Sequence, residues 1–294
     1  MRFPEFFANA KQPVISFEVF PPKDDAGMER LRGILPKLVA LRPTYMTVTY
    51  GAGGSTRGRT LEIAALIKQQ FGLEAASHFT CVGSSRAELD QILGQLRSLE
   101  IRNLVALRGD PPKGETKFTP AADGLAYGNE MVEHIRRFET KDGRGPFGIA
   151  VAGYPEKHIE APDMESDLAN LKRKVEAGAD IVITQLFYEN AHFFRFVDAA
   201  HAQGIRVPIV PGLLPFLSVK QVRRFTALCG AQIPAPLQAE LDSAGDDEAK
   251  AEEIGVRHTI AQATELLARG VPGIHFYVLN RAAHITRIMG GIAR

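Results

Sequence analysis

The sequence is poor in cysteine, in excess charge and in long apolar runs, and each shortage excludes a class of protein. The two cysteines, Cys81 and Cys229, stand far apart among 294 residues, which argues against a disulfide framework and a cysteine-based zinc site. The 35 Lys and Arg residues nearly balance 34 Asp and Glu residues, so the basic excess of a nucleic-acid binder is missing. No apolar run approaches the roughly 20 residues of a membrane span.

The N-terminal residues lack the features of a secretion signal. Residues 1–14, MRFPEFFANAKQPV, contain no extended apolar segment followed by a small-residue cleavage site. The low cysteine content suits a reducing compartment. We therefore expect a cytoplasmic globular enzyme or binding protein that acts on small molecules, with neither nucleic acid nor membrane as a partner.

Short β-branched runs alternate with longer segments whose apolar residues recur at helical spacing. Four glycines, Gly72, Gly178, Gly204 and Gly270, each stand between such a segment and a run, where a helix C-cap belongs. The eight strand candidates are VISFEVF at 14–20, YMTVTY at 45–50, EAASHFT at 74–80, RNLVAL at 102–107, FGIAVAGY at 147–154, DIVITQLF at 180–187, RVPIV at 206–210 and GIHFYVL at 273–279.

This length suits two average domains or one α/β barrel of about 250 residues. Because strands that alternate with helices pair in parallel, eight repeats favour the closed barrel over an open sheet. No break in composition marks a second domain, so we predict one (β/α)₈ TIM barrel over residues 1–294. Two connections, residues 109–126 and 229–248, are longer than a barrel needs, and long loops are commonly functional.

Chemistry in a parallel barrel collects at the C-terminal ends of its strands. The predicted strand ends are dense in ionisable and hydrogen-bonding groups, which a purely structural barrel would not require. These residues are Glu18, Thr49, Tyr50, His78, Arg108, Asp110, Tyr154, Gln185, Tyr277, Asn280 and Arg281.

Glu18 is the strongest catalytic candidate. It lies in ISFEVFPP between Phe17 and Val19, and apolar surroundings disfavour the charged form of a carboxyl. We therefore expect a raised pKa, which would let Glu18 act as a general acid near neutrality. The alternative is an exposed glutamate on the polar side of an edge strand.

Two loops offer groups for anionic or heterocyclic ligands. In LRGDPP, Arg108 suits bidentate binding of phosphate or carboxylate, and Asp110 suits the N–H groups of a heterocycle. The alternatives there are a turn-capping aspartate and a surface ion pair. The segment GAGGSTRGRT, residues 51–60, lacks the lysine of a P-loop and the third glycine of a dinucleotide fingerprint. We interpret it as a flexible glycine loop that brings backbone N–H groups close to a ligand.

The fifth, sixth and eighth strand ends are less specific. YPEKHIEA at 154–161 offers Tyr154 and His158, and DLANLKRK at 167–174 places four polar residues near one helix face. Taken alone, that face is better explained as solvated charge. Gln185, an uncharged amide, suits a ring with donors and acceptors. Tyr277 and Arg281 fit ligand contact and a structural role equally well.

Taken together and in order, these strings resemble the methylenetetrahydrofolate reductases, in their barrel-only bacterial form. The resemblance runs over almost the whole chain. Its motifs are ISFEVFPP, VTYGAGGSTRGRT, SHFTC, VALRGDPP, YPEKHIEA, DLANLKRKVEAGADIVITQLFY, PGLLP and FYVLNRA. It implies a (β/α)₈ barrel with non-covalent FAD, a homo-oligomer, and a ping-pong reaction of one-carbon metabolism that serves methionine biosynthesis. In that reaction NADH or NADPH reduces the flavin, which then reduces 5,10-methylenetetrahydrofolate to 5-methyltetrahydrofolate, or the reverse.

The resemblance also implies roles for individual residues. Glu18 would protonate folate N10, and Asp110 would contact the pterin near the flavin N1/C2 region, where its charge would make the cofactor more reducing. Contacts with FAD and the nicotinamide would come from Thr49, Tyr50, Ala52, His78, Arg108, Gly109, Asp110, Tyr127, Gly128, Tyr154, His158, Ala161, Asp167, Asn170, Arg173 and Lys174. Substrate contacts would come from Gln185, Gln221, Phe225, Tyr277 and Arg281, with Phe225 as a stacking platform and Arg281 on the folate glutamyl carboxylate.

Three other functions remain open at this stage. Glu18, His78 and Asp110 together would suit a divalent metal in a barrel lyase or hydrolase. A Schiff-base aldolase is disfavoured, because the lysines fall on predicted helices and loops. A non-catalytic folate- or flavin-binding protein would need no acid at position 18.

Overall fold

The computed structural model describes residues 1–50, 57–110, 114 and 118–292, without the side chain of Arg57. Nine strands are formed over these residues: β1 Val14–Val19, β2 Tyr45–Val48, β3 Glu74–Thr80, β4 Asn103–Leu107, β5 Gly148–Gly153, β6 Ile181–Thr184, β7 Ile209–Val210, β8 Gly212–Leu213 and β9 Gly273–Tyr277. The helices are α1 Phe3–Ala8, α2 Asp25–Val39, α3 Arg57–Phe71, α4 Arg86–Ser98, α5 Gly128–Asp142, α6 Met164–Glu176, α7 Asn190–Ala202, α8 Val219–Cys229, α9 Ala235–Ala244, α10 Glu248–Ala268 and α11 Ala283–Gly291.

All the strands pair in parallel in the order β7-β6-β5-β4-β3-β2-β1-β9-β8. The two ends of this order, β7 and β8, are joined in the chain by Pro211, so the sheet closes on itself. This confirms the predicted TIM barrel. The seventh strand differs from the prediction, because Pro211 has no N–H and divides it into two short pieces that pair with β6 and β9.

Gly212 marks a close approach in this closing strand. A Cβ atom there would lie 2.1 Å from the carbonyl oxygen of Thr184 and 2.7 Å from the hydroxyl oxygen of Tyr277. Only glycine fits between these two atoms, so the barrel can close tightly beside Tyr277.

Two apolar layers hold the barrel. The outward side chains of the strands, such as Phe17 and Phe276, pack against the helices in one large cluster. A second cluster fills the N-terminal end of the barrel interior, where α1 acts as a plug. The rings of Phe3 and Phe6 lie 5.1 and 5.3 Å from the ring of Tyr45. Burying each phenylalanine contributes about 1.5–3 kcal/mol relative to leaving it exposed.

The helix boundaries follow local sequence signals. Ser85 begins α4 in a capping box with Glu88. The four glycines predicted as C-caps all have positive φ, from 63° at Gly72 to 115° at Gly178, which confirms that expectation. None of the described helices is long and apolar enough to cross a membrane.

One of the two long connections differs from its prediction. The described residues of segment 109–126 form neither helix nor strand, as expected. Segment 229–248, in contrast, contains α9, whose Leu237 and Leu241 are buried in a third apolar cluster. The first turn of α9 contains Pro236. This proline led to the prediction of a loop, although proline is well tolerated at the start of a helix.

Candidate active site

Two adjoining cavities of about 490 and 510 Å³ open at the C-terminal ends of the strands. The first lies over the barrel interior and the second lies beside α5 and α6, and both are lined by Arg108, Tyr154 and His158. The first is also lined by Glu18, Tyr50, His78, Gly109, Asp110, Gln185, Phe225 and Tyr277. The second is also lined by Tyr127, Gly128, Asp167, Asn170, Arg173 and Lys174. Most of the predicted site residues are therefore brought together.

Glu18 occupies the floor of the first cavity. Its side chain is 14% exposed and faces the barrel interior, because Val14 and Glu18 share one face of β1 while Phe17 packs outward. Its Oε2 lies 2.9 Å from His78 Nε2 and 3.3 Å from His275 Nε2. The Thr47 hydroxyl donates to the same oxygen at 3.2 Å. An edge-strand glutamate is thereby excluded.

These contacts correct the expected pKa of Glu18. Burial raises the pKa, as predicted, but the charges and hydrogen bonds of His78 and His275 outweigh burial and hold it below its ordinary value. The carboxylate is therefore ionised in the free site. Among the described residues no hydrogen bond reaches Oε1, so this oxygen is available to a ligand.

Sequence reasoning missed the groups behind Glu18. His275 is fully buried on β9, and its Nδ1 lies 2.8 Å from the Ser16 hydroxyl oxygen. The side chains of Ser16, Glu18 and His275 thus form a continuous chain inside the barrel. Strand alternation would have found them, since Ser16 shares a face with Glu18 and His275 shares one with Tyr277.

Arg108 and Asp110 follow the end of β4. The guanidinium of Arg108 donates to both carboxylate oxygens of Glu160, at 2.7 and 2.8 Å. These hydrogen bonds raise the pKa of Arg108. Gly109 has φ 89°, and a Cβ there would lie 2.9 Å from the Val82 side chain. The ion-pair alternative is thus correct for Arg108, which still lines both cavities, while Asp110 is exposed at the cavity rim.

The helix face that sequence alone assigned to solvent instead lines the second cavity. Asp167 is buried and accepts from the His158 backbone N–H at 3.0 Å. Lys174 donates to the Ala152 carbonyl at 2.5 Å and lies 5.8 Å from the centre of the Tyr154 ring. Burial lowers the pKa of Lys174 to about 8, although the charge of Asp167 opposes that shift. This face combines cationic and hydrogen-bonding groups.

Some of the predicted substrate residues line the first cavity and others do not. Phe225 on α8 lines the first cavity together with Gln185 and Tyr277. The Tyr277 hydroxyl donates to the Thr184 carbonyl at 2.7 Å. Gln221 accepts from the Leu217 backbone N–H at the start of α8. Of the described residues predicted for the site, those that line neither cavity are Thr49, Ala161, Gln221 and Arg281, and Ala52 lies outside the described residues.

The turn before Arg281 is strained. Leu279 and Asn280 both have φ 52°, in the left-handed region that few residues other than glycine adopt. The Asn280 amide accepts from the Phe20 N–H at 3.0 Å and donates to the Phe20 carbonyl at 2.8 Å. These two bonds fasten the end of β1 to the end of β9, which holds Glu18 and Tyr277 side by side.

The metal-binding alternative finds no matching arrangement. Glu18 and His78 are in contact, but Asp110 is not hydrogen-bonded to either. Over residues 1–50, 57–110, 114 and 118–292, no group of three or more His, Cys, Asp and Glu side chains is arranged to hold a metal ion.

Fold and site together define a parallel barrel protein with a large polar ligand site at the C-terminal ends of its strands. Solved structures share this fold, two of which illustrate the likeness. A protein from Clostridium thermocellum that binds two copies of 5-methyl-5,6,7,8-tetrahydrofolic acid has a TM-score of 0.63 at 17% identity, covering 98% of this chain and 96% of its own. A 2,3-dimethylmalate lyase has a TM-score of 0.54 at 8% identity, covering 98% and 80%.

Sequence comparisons identify the family. A model of the methylenetetrahydrofolate reductase family matches residues 4–292, and the chain belongs to this family. Methylenetetrahydrofolate reductase (NADH) 1 of Arabidopsis thaliana is 41% identical over 92% of this chain but 46% of its own length. The chain therefore spans about half the length of the plant relatives it matches. The 5,10-methylenetetrahydrofolate reductase of Escherichia coli is 39% identical over 91% of this chain and 86% of its own.

Proposed function

We propose that the protein is an FAD-dependent methylenetetrahydrofolate reductase. NADH or NADPH would reduce the flavin and leave, and 5,10-methylenetetrahydrofolate would then be reduced to 5-methyltetrahydrofolate in the same site. The observation that carries the proposal is Glu18, a carboxylate in the cavity lining whose Oε2 contacts three side chains while Oε1 has no hydrogen bond among the described residues. Family membership supports the substrates, a cytoplasmic location and a homo-oligomer, and the same site chemistry is compatible with the reverse reaction.

The second cavity fits the charged part of FAD. Arg108, Arg173 and Lys174 line it and would provide cations for the diphosphate, Arg108 by exchanging Glu160 for a phosphate oxygen. Gly128 begins the 15-residue helix α5, and the positive end of the helix dipole there would favour an anion. A Cβ atom at Gly128 would lie 3.4 Å from the Lys174 side chain, so glycine keeps this corner open. When bound, FAD would supply reversible two-electron hydride transfer.

Glu18 would supply the proton that opens the folate ring. Protonation of N10 weakens its bond to the methylene carbon, which then accepts the hydride. Because His78, His275 and Thr47 all contact Oε2, the proton would leave from Oε1. Because the free carboxylate is ionised, Glu18 would first take up a proton, and folate bound over the carboxylate would favour that neutral form by excluding water.

Asp110 and Phe225 would act on the bound rings. Asp110 lies at the rim beside Gly109 and would accept hydrogen bonds from the pterin. Its charge near the flavin would also disfavour an anionic reduced cofactor and so strengthen its reducing power. Phe225 would stack on nicotinamide and pterin in turn.

An absorption spectrum of the purified protein tests the proposal. We expect a flavin spectrum that bleaches on anaerobic addition of 5-methyltetrahydrofolate, and that also bleaches with NADH or NADPH. Stoichiometric metal without flavin would overturn the proposal in favour of a metal-dependent lyase or hydrolase. Tight folate or flavin binding without any bleaching would indicate a non-catalytic binding protein.

A further inference from the structure

Glu156 is a buried acid that the proposed reaction does not use. It lies between Tyr154 and His158, in the segment after β5 that lines both cavities. Its side chain is only 7% exposed. Its Oε1 accepts the backbone N–H of Gln232 at 3.0 Å, whereas Oε2 is buried without a hydrogen-bond partner. Burying a carboxylate costs free energy when one of its oxygens makes no hydrogen bond. The hydrogen bond from Gln232 is therefore important for holding Glu156 in place.

The bond reaches the segment that follows α8. That helix ends at Cys229 and is capped by Gly230, which has φ 78°, and Gln232 lies two residues beyond the cap. Phe225 on α8 lines the first cavity and packs in one apolar cluster with Ile233, beyond the bond. The Glu156 carboxylate therefore connects the wall that carries Tyr154 and His158 to the element that carries Phe225.

The surroundings of Glu156 keep the carboxylate in one position. His192 of α7 lies 3.8 Å from its Oε1 and also 3.5 Å from Glu189. The Arg195 guanidinium contacts the other ring nitrogen of His192 at 3.1 Å. These groups, with Cys229 of α8, are the titratable and charged groups facing Glu156. Burial is the largest influence and raises the pKa of Glu156.

We infer that Glu156 is a positioning residue that fixes α8, and with it Phe225, relative to the Tyr154–His158 wall. This inference rests on the proposed function for its effect on substrates. The tie itself is a property of the fold, so it can be tested without any turnover.

A tryptophan reporter tests the tie directly. The chain has no tryptophan, and Leu228 on α8 is 63% exposed, so Leu228→Trp adds one reporter at little structural cost. In this background we compare Glu156→Ala, which removes the acceptor, with Gln232→Pro, which removes the N–H donor and leaves the carboxylate in place. We expect lower tryptophan anisotropy in both, and unchanged anisotropy in the matched controls Gln232→Ala and Glu189→Gln. Equal anisotropy in all variants would overturn the inference, whatever the protein catalyses.

Steady-state kinetics of the holoenzyme test the consequence. Glu156→Ala and Gln232→Pro should raise KM for both folate and pyridine nucleotide by about tenfold, the loss expected of one hydrogen bond to a buried charge. kcat should change less, because Glu18 is untouched. Unchanged KM values alongside lowered anisotropy would refute the positioning role.

A pH profile separates positioning from general stabilisation. Because burial raises the pKa of Glu156, its protonation begins above the ordinary glutamate range as pH falls, and the charge-assisted bond weakens. KM of the wild type should therefore rise at acid pH. Glu156→Gln keeps an acceptor without titrating and should remove that rise, and an identical acid rise in this variant would contradict the account.

Discussion

Val14 and Glu18 point into the barrel from the same face of β1, yet they belong to opposite regions. Val14 lies in the apolar cluster closed by Phe3, Phe6 and Tyr45, while Glu18 lies among His78, His275 and the cavity. The same backbone therefore supports a hydrophobic plug at its N-terminal end and a polar network at its C-terminal end. Position along the strand therefore decides whether an inward residue serves stability or chemistry.

The largest effect is expected from a substitution in the apolar cluster at the N-terminal end of the barrel. Phe3 is fully buried, and Phe3→Ala should lower the free energy of unfolding by about 3–5 kcal/mol, since it leaves a cavity against Tyr45. Urea denaturation measures this loss. kcat of the folded variant should stay near that of the wild type, and a parallel loss of kcat would show that the two ends are not independent.

A smaller effect is expected from a substitution in the polar network around Glu18. His275→Gln removes a charge and hydrogen bond that lower the pKa of Glu18, so that pKa should rise. The folate half-reaction should slow by roughly 10–100-fold because the imidazole no longer positions the Glu18 carboxylate, although more Glu18 is protonated near neutrality, and its pH dependence should move to higher pH. Rapid-mixing absorbance at several pH values provides both numbers. A slower reaction with an unmoved pH profile would assign His275 a packing role only.

The smallest effect is expected in the second cavity, where the charge of Lys174 should influence FAD affinity. Burial holds the pKa of Lys174 at about 8, so its positive charge is lost as pH rises through that value. FAD affinity should accordingly fall by up to about tenfold between pH 7 and 9, because the neutral amine no longer attracts phosphate. Fluorescence titration of the apoprotein measures it. Lys174→Arg, which stays charged, should show a flat profile.

Much of the fold could be read from the sequence, because its signals are local. Gly72 and Gly178 cap their helices, and the repeated strand runs specify a parallel barrel. The α1 plug could not be predicted, since six residues carry too little periodicity and gain stability from Tyr45 and other inward residues on several strands. The division at Pro211 likewise depends on two different neighbouring strands.

The sequence predicted which residues lie at the C-terminal ends of the strands, but not the hydrogen bonds among them. Alternation and family resemblance together selected Glu18, Asp110 and the α6 face. The direction of the Glu18 pKa depended on His78 and His275, which are 60 and 257 residues away in the chain, so only the fold reveals it. The strand-end position left the role of Arg281 undecided, the resemblance assigned it to folate, and the side chain lies outside the cavity lining.

We propose that Glu18 serves only the folate half-reaction. Rapid mixing of Glu18→Gln under anaerobic conditions tests it, with the flavin spectrum as the readout of both half-reactions. NADH or NADPH should bleach the flavin within about threefold of the wild-type rate, because the hydride donor needs no acid. Reoxidation by 5,10-methylenetetrahydrofolate should slow by about 10²–10⁴-fold, the usual contribution of a general acid. Reoxidation at the wild-type rate, or equal slowing of both half-reactions, would contradict the account.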